Sequence, residues 1–215
     1  MAENNYEILA EEARKLFLKY DQEHLIRFHK LEADDTYLYL TYLNHRVRIE
    51  RKSGLVEKQS LQGDFQPCNF NGILTIYDYL CYSSGQAVKP VMSGIWASVS
   101  DLGGIIGAYH DSSLKSEKEL QNYMGMGEKL QQACQKLGAT PSGMKGDVSM
   151  LIPVFEDVSV SFQYWDGDDE FLPNYHMLMD KNICQLMHYE TVWYMIMDIK
   201  EQLFREKNDG EEQKE

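Results

Sequence analysis

The densest group of residues able to do chemistry is an acidic cluster in the segment WDGDDEF, residues 165–171. It places four carboxylates within five positions, at Asp166, Asp168, Asp169 and Glu170. Carboxylate oxygens are the ligands that Ca²⁺ and Mg²⁺ prefer, so a divalent metal site that activates water is one interpretation. The spacing differs from that of the EF-hand loop, however, and Asp-Gly is a favoured pair in hairpin turns. A solvated acidic turn is therefore the alternative interpretation.

Aromatic side chains and a histidine near this cluster predict a ligand pocket. Trp96 and Trp165 offer large apolar rings, and Tyr175 and His176 combine an apolar ring with a polar group. Such side chains are typical of small-molecule sites. The sequence thus predicts a pocket lined by these four residues, and in the metal interpretation His176 acts as the acid or base.

Three further motifs assign no chemistry. Cys184 and His188 lie four residues apart, but a closed zinc site takes four ligands, and only His176 is available as a third. The glycine-rich segment SDLGGIIG at 100–107 matches neither the dinucleotide nor the phosphate-loop pattern, so we expect a turn. We interpret the basic segment RVRIERK at 46–52 as a guard on an edge strand. A G-x-S-x-G nucleophile motif is missing as well, so the sequence assigns no reaction.

Charge and composition narrow the classes of function. The formal net charge is −13 and the pI is about 4.9, which disfavours nucleic-acid binding because phosphate contacts need cations. No apolar run approaches the ~20 residues that span a bilayer, and residues 1–15 lack the features of a secretory signal. We therefore expect a cytoplasmic protein that binds neither nucleic acid nor membrane. Its four cysteines are expected to be reduced thiols packed in the core: Cys68, Cys81, Cys134 and Cys184.

Hydrophobic spacing predicts the elements that must position these residues. Helices are predicted at 6–20, after the cap residue Asp21, from 71, from 116 or 124 to 137, and at 191–204. Strands are predicted at 36–43, 46–50, 55–56, 91–99, 148–154, 158–165 and 175–179. Because helices and hairpins come in blocks, we expect an α+β fold of antiparallel sheet with N-terminal and C-terminal helices packed on it. We expect residues 1–204 to form one domain and residues 205–215 to form a charged, flexible tail.

Four segments in this order resemble a bacterial and archaeal protein family, the domain of unknown function 3786. They are ILTIYDYLCY, SGIWASVSDLGG, the helix end KLGAT and the strand pair that ends in QYWDGDDEFLPNYHMLMD. The resemblance covers the chain from the first helix to about Phe204, and it is most specific over residues 162–180.

The resemblance implies a binding or accessory role, since the family has no established activity. Some relatives look to be joined to, or encoded near, iron–sulfur domains of corrinoid-dependent one-carbon metabolism in anaerobes. This implies an iron–sulfur or corrinoid protein as partner and a corrinoid as cofactor, whereas the acidic cluster points to a divalent metal as cofactor. This chain has no cysteine run that could hold a [4Fe–4S] cluster, so such a module would be a separate protein.

A small-molecule- or partner-binding accessory protein is therefore the main hypothesis. The alternatives are a metal-dependent enzyme that uses the acidic cluster and a structural interaction protein. Sequence spacing alone does not choose among them, because all three are compatible with an acidic α+β chain.

Overall fold

A computed structural model of the chain describes residues 5–60, 62–103 and 120–204. Within these residues it contains helices and two antiparallel sheets of five strands each, which confirms the predicted α+β class. Expectations for residues 104–119 and 205–215, which include most of the glycine-rich segment and the charged tail, lie outside the described residues.

Contacts within the chain divide it into two compact units. Unit 1 comprises residues 1–91 and 182–195, and unit 2 comprises residues 92–181 and 196–215. The expectation that residues 1–204 form a single α+β domain stays a prediction.

Unit 1 combines three helices with a sheet whose strands follow one another in chain order. The helices are α1 (Asn5–Phe17), α2 (Gln22–His29) and α3 (Phe70–Ser84). The strands are β1 (Glu32–Ala33), β2 (Tyr37–Tyr42), β3 (His45–Glu50), β4 (Val56–Gln59) and β5 (Phe65–Pro67). Both α1 and α2 pack on α3.

The basic segment at 46–52 does not guard a sheet edge, and that prediction is wrong. It runs along β3, which is the central strand of the five. Its three arginines are instead paired with glutamates of neighbouring elements. The pairs are Arg46 with Glu32, Arg48 with Glu57 and Arg51 with Glu23.

Side-chain caps begin two of these helices. Oδ1 of Asp21 accepts hydrogen bonds from the Glu23 and His24 amides at 3.0 and 3.2 Å, so α2 starts where the sequence predicts. Oδ1 of Asn69 accepts the Gly72 amide at 2.8 Å at the start of α3. Such oxygens satisfy amide groups that have no partner inside the helix.

The turn between β3 and β4 joins α1 to α3. Arg14 of α1 donates to the Ser53 carbonyl, and the Tyr77 hydroxyl of α3 donates to the Gly54 carbonyl. Gly54 has a φ of +76°, and a Cβ atom there would lie 2.9 Å from Cγ of Arg14, so glycine is required. Burial raises the pKa of the Tyr77 hydroxyl, which keeps it a neutral donor at this junction.

Unit 2 is built on the second sheet, in which the strand order is β6-β10-β9-β8-β7. The strands are β6 (Trp96–Ala97), β7 (Thr140–Pro141), β8 (Val148–Phe155), β9 (Val158–Trp165) and β10 (Asn174–Asp180). Helix α4 (Gly127–Lys136) packs on β8 and is followed by Gly138 with a φ of +78°, as predicted for a helix end. After a 3₁₀ turn, Ile183–Gln185, helix α5 (Tyr189–Phe204) gives its first seven residues to unit 1 and the rest to unit 2.

The predicted strand at 91–99 is much shorter than expected. Only Trp96 and Ala97 pair with β10. Just before them, the Ser93 hydroxyl and the Gly94 amide donate to the carboxylate of Asp180, at 2.9 and 2.6 Å. These side-chain bonds replace the ladder, so the segment before Trp96 runs as a loop.

Two further expectations can be compared with the described residues. The thiols of Cys68, Cys81 and Cys134 are buried, as predicted, and Cys184 is half-buried. Within the described part of the chain, no helix has both the length and the apolar character needed to cross a membrane.

Candidate functional site

Helix α1 carries an apolar stripe that unit 1 covers only in part. Phe17 is fully buried and its ring lies 5.2 Å from that of Tyr77. Leu9 and Leu16, by contrast, keep 43% and 51% of their surface exposed. Exposed leucines at helical spacing beside a buried aromatic residue mark a surface that something else can cover.

This stripe forms one wall of a cleft of about 450 Å³. The second wall is α3 and the third is the start of α5, so all of the cleft lies within unit 1. Its volume falls in the range of small-molecule sites. Seven of its lining residues are mainly apolar or aromatic: Leu9, Ala13, Leu16, Leu74, Tyr77, Cys81 and Tyr194. The others bear charged or polar groups: Glu12, Asp78, His188, Glu190 and Thr191.

Asp78 and His188 form a pair in this cleft. The His188 backbone amide donates to Oδ2 of Asp78 at 2.7 Å, and Nδ1 of the His188 ring lies 2.7 Å from Oδ1. The Asp78 side chain is only 18% exposed, whereas that of His188 is 58% exposed. One carboxylate thus fixes both the backbone and the ring of a histidine that faces solvent.

Local structure explains why this pair forms. The His188 carbonyl accepts the Thr191 and Val192 amides, so His188 is the residue from which α5 starts. Asp78 therefore places a negative charge at the N-terminus of α5, where the helix dipole stabilises it. Tyr82 lies one turn after Asp78 on α3, and its ring centroid is 4.1 Å from that of His188. The ring is held between these two side chains of α3.

The pair sets the chemistry of the imidazole. A carboxylate only accepts hydrogen bonds, so the close Asp78 oxygen requires the proton to be on Nδ1. In the neutral ring the lone pair is then on Nε2, which can accept a hydrogen bond or a proton from a ligand. Carboxylates orient histidines that act as general bases in the same way.

The other reactive groups of the cleft are not activated. Burial raises the pKa of the Cys81 thiol to about 12, so it is protonated at neutral pH and is a poor nucleophile. The Tyr77 hydroxyl is already engaged with Gly54. Among the described lining residues, the cleft therefore offers one oriented imidazole and three carboxylates.

The structure brings together two of the four residues predicted to line an aromatic pocket, and both lie in unit 2. The rings of Trp165 and His176 meet edge to face, with centroids 5.0 Å apart. Trp165 pairs with Asn174, so His176 is its diagonal neighbour on the same face of the sheet.

Tyr175 and Trp96 do not join this pair. Tyr175 is 1% exposed and points to the other face, where its ring lies 5.5 Å from that of Phe204. Trp96 pairs with Asp180, four residues from His176 along β10, which corresponds to about 13 Å at the rise of a strand. The structure therefore assigns Tyr175 to the core of unit 2 and separates Trp96 from His176.

The acidic cluster forms a hydrogen-bonded turn. Oδ1 of Asp166 accepts the Gly125 and Gly167 amides, at 2.7 and 2.9 Å. Oδ1 of Asp168 accepts the Glu170 and Phe171 amides, both at 2.8 Å, and these bonds lower the pKa of the Asp168 carboxyl. Backbone donors thus hold two of the four carboxylates, and all four acidic residues are exposed in the connection between β9 and β10.

No cluster of three or more histidine, cysteine, aspartate or glutamate residues is arranged for a metal ion in the part of the chain that the structure describes. Cys184 lies in the 3₁₀ turn rather than in an α-helix with His188, so the four-residue spacing does not put both on one helical face. Metal binding by Asp166, Asp168, Asp169 and Glu170 stays a prediction, which a metal titration can decide.

Comparison with known families identifies the chain. The sequence model of the domain of unknown function 3786 matches residues 21–200. The protein belongs to this family. No curated protein and no solved structure gives a significant match.

The family match includes both members of the pair in the cleft, Asp78 and His188. Sequence reasoning missed this pair, although Asp78 lies in ILTIYDYLCY, one of the segments that resemble the family. The available signal was a single aspartate in a predicted helix whose neighbouring residues are mostly apolar or aromatic. Its partner lies 110 positions away in the sequence, so local spacing could not reveal it.

Proposed function

We propose that this protein is an accessory protein that binds a small amphipathic molecule in the cleft of unit 1. The observation that carries the proposal is the combination, in one cleft of about 450 Å³, of an uncovered apolar stripe and an oriented imidazole. The stripe would hold the apolar body of the ligand, and Nε2 of His188 would accept a hydrogen bond from its polar end.

Binding is a better description of this cleft than covalent catalysis. A nucleophilic mechanism needs an activated side chain beside the base, and Cys81 is kept as a thiol by burial. The described lining also has no lysine or arginine to stabilise a developing negative charge. The Asp78–His188 pair by itself suffices to orient and recognise a ligand.

We propose that the ligand of this cleft is smaller than an intact corrinoid. Clefts of this volume hold drug-sized ligands, and a corrin ring with its side chains is considerably larger. We therefore propose that any link to corrinoid or iron–sulfur chemistry runs through a separate partner protein. The family resemblance supports that proposal, and the cleft would then hold a smaller molecule.

The proposal is tested by native mass spectrometry of protein purified anaerobically from its native cells, with elemental analysis and an absorption spectrum. We expect a small non-covalent mass that is lost on denaturation. The variant Ala13→Trp places an indole in the cleft and should remove that mass.

The matched control is Lys15→Trp, on the same helix but outside the cleft, with a side chain 63% exposed. It should retain the mass, and circular dichroism should show that both variants are folded. A ligand that Ala13→Trp retains would contradict the assignment to this cleft. A clean apo mass from native cells would contradict retention of a small molecule and redirect the search to partner proteins.

A further inference from the structure

We infer that the ligand of the unit 1 cleft carries a cationic head group, an ammonium or amidinium group on an apolar body. This inference rests on the proposed binding function and specifies the class of ligand. Three features of the cleft support it: the carboxylates in its lining, the pairing of nearby cations with a glutamate outside the lining, and the tyrosine ring in its wall.

Negative charge predominates at the rim of the cleft. Glu12 on α1 and Glu190 in the first turn of α5 are both exposed members of its lining, and Asp78 on α3 is the third carboxylate of the lining. The charge of Asp78 is directed at His188, which leaves Glu12 and Glu190 as the carboxylates available to a ligand.

The cations nearest in sequence do not offset this charge. Arg14 donates through Nε and Nη2 to Glu11, both at 2.7 Å, and Lys15 lies 3.6 Å from the same carboxylate. The described lining residues include no lysine or arginine. An anionic ligand would therefore meet repulsion here, and the net charge of −13 would add to it at long range.

Aromatic rings favour the same class of ligand. Tyr194 belongs to the lining, and its ring makes an edge-to-face contact with Phe70, with the ring planes at 83°, which fixes its orientation. Cations are attracted to the faces of tyrosine rings. Carboxylates, a tyrosine ring and an apolar wall together match an amphipathic amine better than an alcohol or a carboxylic acid of the same length.

The test uses three probes that have the same chain and different head groups: octylamine, 1-octanol and octanoate. Each is titrated into the full chain at pH 7, below its aggregation concentration, and followed by calorimetry and NMR. We expect octylamine to bind about tenfold more tightly than 1-octanol, and octanoate to bind most weakly, because each exposed carboxylate contributes only a few-fold to affinity. Added salt should weaken octylamine binding and leave 1-octanol binding unchanged.

Two variants locate the effect. Glu12→Gln with Glu190→Gln should weaken octylamine binding about tenfold without changing the affinity for 1-octanol. Glu7→Gln, an exposed glutamate of α1 outside the cleft, is the matched control and should change neither.

The outcomes separate the two proposals. Equal affinity for 1-octanol and octylamine would overturn the cationic head group while leaving the binding cleft intact. Octylamine binding that survives the double substitution would also overturn it, since the charge would then be recognised elsewhere. Failure of all three probes to bind would contradict both the cationic ligand and an apolar binding cleft.

Discussion

Replacing Asp78 by alanine should destabilise unit 1 far more than replacing its partner His188. The Asp78 carboxylate accepts two hydrogen bonds, one from the His188 backbone and one from its ring. The His188 substitution to alanine removes only the ring bond, because the backbone amide remains. The two variants therefore measure different parts of the same contact.

The magnitudes follow from the burial of each bond. Asp78 caps the start of α5, and loss of a helix cap costs about 1 kcal/mol. The ring bond involves a histidine that is 58% exposed, so solvent screening limits it to about 0.5 kcal/mol. We expect Asp78→Ala to lower the free energy of unfolding by about 1.5–2 kcal/mol and His188→Ala by about 0.5 kcal/mol. Asp78→Asn keeps one acceptor and should cost about 1 kcal/mol.

Urea denaturation followed by far-UV circular dichroism measures these differences, and the double variant Asp78→Ala with His188→Ala closes the cycle. The coupling energy should be about 0.5 kcal/mol, the value assigned to the ring bond. A His188→Ala variant as unstable as Asp78→Ala would refute the reasoning, because the backbone bond would then contribute nothing. An additive cycle would show that the ring and the carboxylate do not interact.

Three further predictions concern other parts of the chain. Gly146 has a φ of +135°, and a Cβ atom there would lie 2.9 Å from the Val148 carbonyl oxygen, so Gly146→Ala should lower the free energy of unfolding by about 3 kcal/mol. Gly63 lies in open space at a φ of +93°, so Gly63→Ala should lower it by about 1 kcal/mol. Urea denaturation compares the two variants, and equal losses of stability would contradict the clash. Burial raises the pKa of Cys81 and of Cys134 to about 12, and it also raises the pKa of Cys184, but only Cys184 among these three thiols is partly exposed. A thiol reagent at pH 8 should therefore label Cys184 first, and Cys184→Ser should abolish the fast phase of labelling seen by mass spectrometry. Hydrogen bonds lower the pKa of Asp168, so its stabilising effect is present above the unfolded value of about 4 and is lost as the pH falls through the lower folded value. Asp168→Asn should therefore flatten the fall in melting temperature at acid pH. A much larger loss of melting temperature in the presence of Ca²⁺, Mg²⁺, Mn²⁺ or Zn²⁺ would instead support the metal site.

Strand pairs with strong alternation could be predicted from the sequence. β8 and β9 were expected at 148–154 and 158–165, within a residue of their observed bounds, because each has a buried apolar side chain at nearly every second position. Strands β1, β5 and β7 were not predicted, since two or three residues are too few to show a period. Their pairing depends on the neighbouring strand rather than on their own sequence.

The candidate site was harder to predict than the fold. Trp165 and His176 were grouped because both lie close to the acidic cluster in sequence, and sheet register does place their rings in contact. Tyr175 was included in the same pocket because it is adjacent in sequence, yet adjacent residues of a strand point to opposite faces. The α1 stripe was recognised as a helical face, but the sequence does not tell which part of an apolar face its own chain will cover.

The separation of Asp78 and His188 along the chain also constrains how the protein is made. During synthesis, α1 and α3 leave the ribosome long before residue 188, so the nascent chain has two walls of the cleft and lacks the third. Unit 1 can be completed only when residues 182–195 return to it, after the whole of the second sheet has been translated. Incomplete chains therefore expose Leu9 and Leu16 without an oriented imidazole beside them. Ligand recognition becomes a property of the nearly finished polypeptide, and the interval before completion is when a chaperone would have most apolar surface to protect.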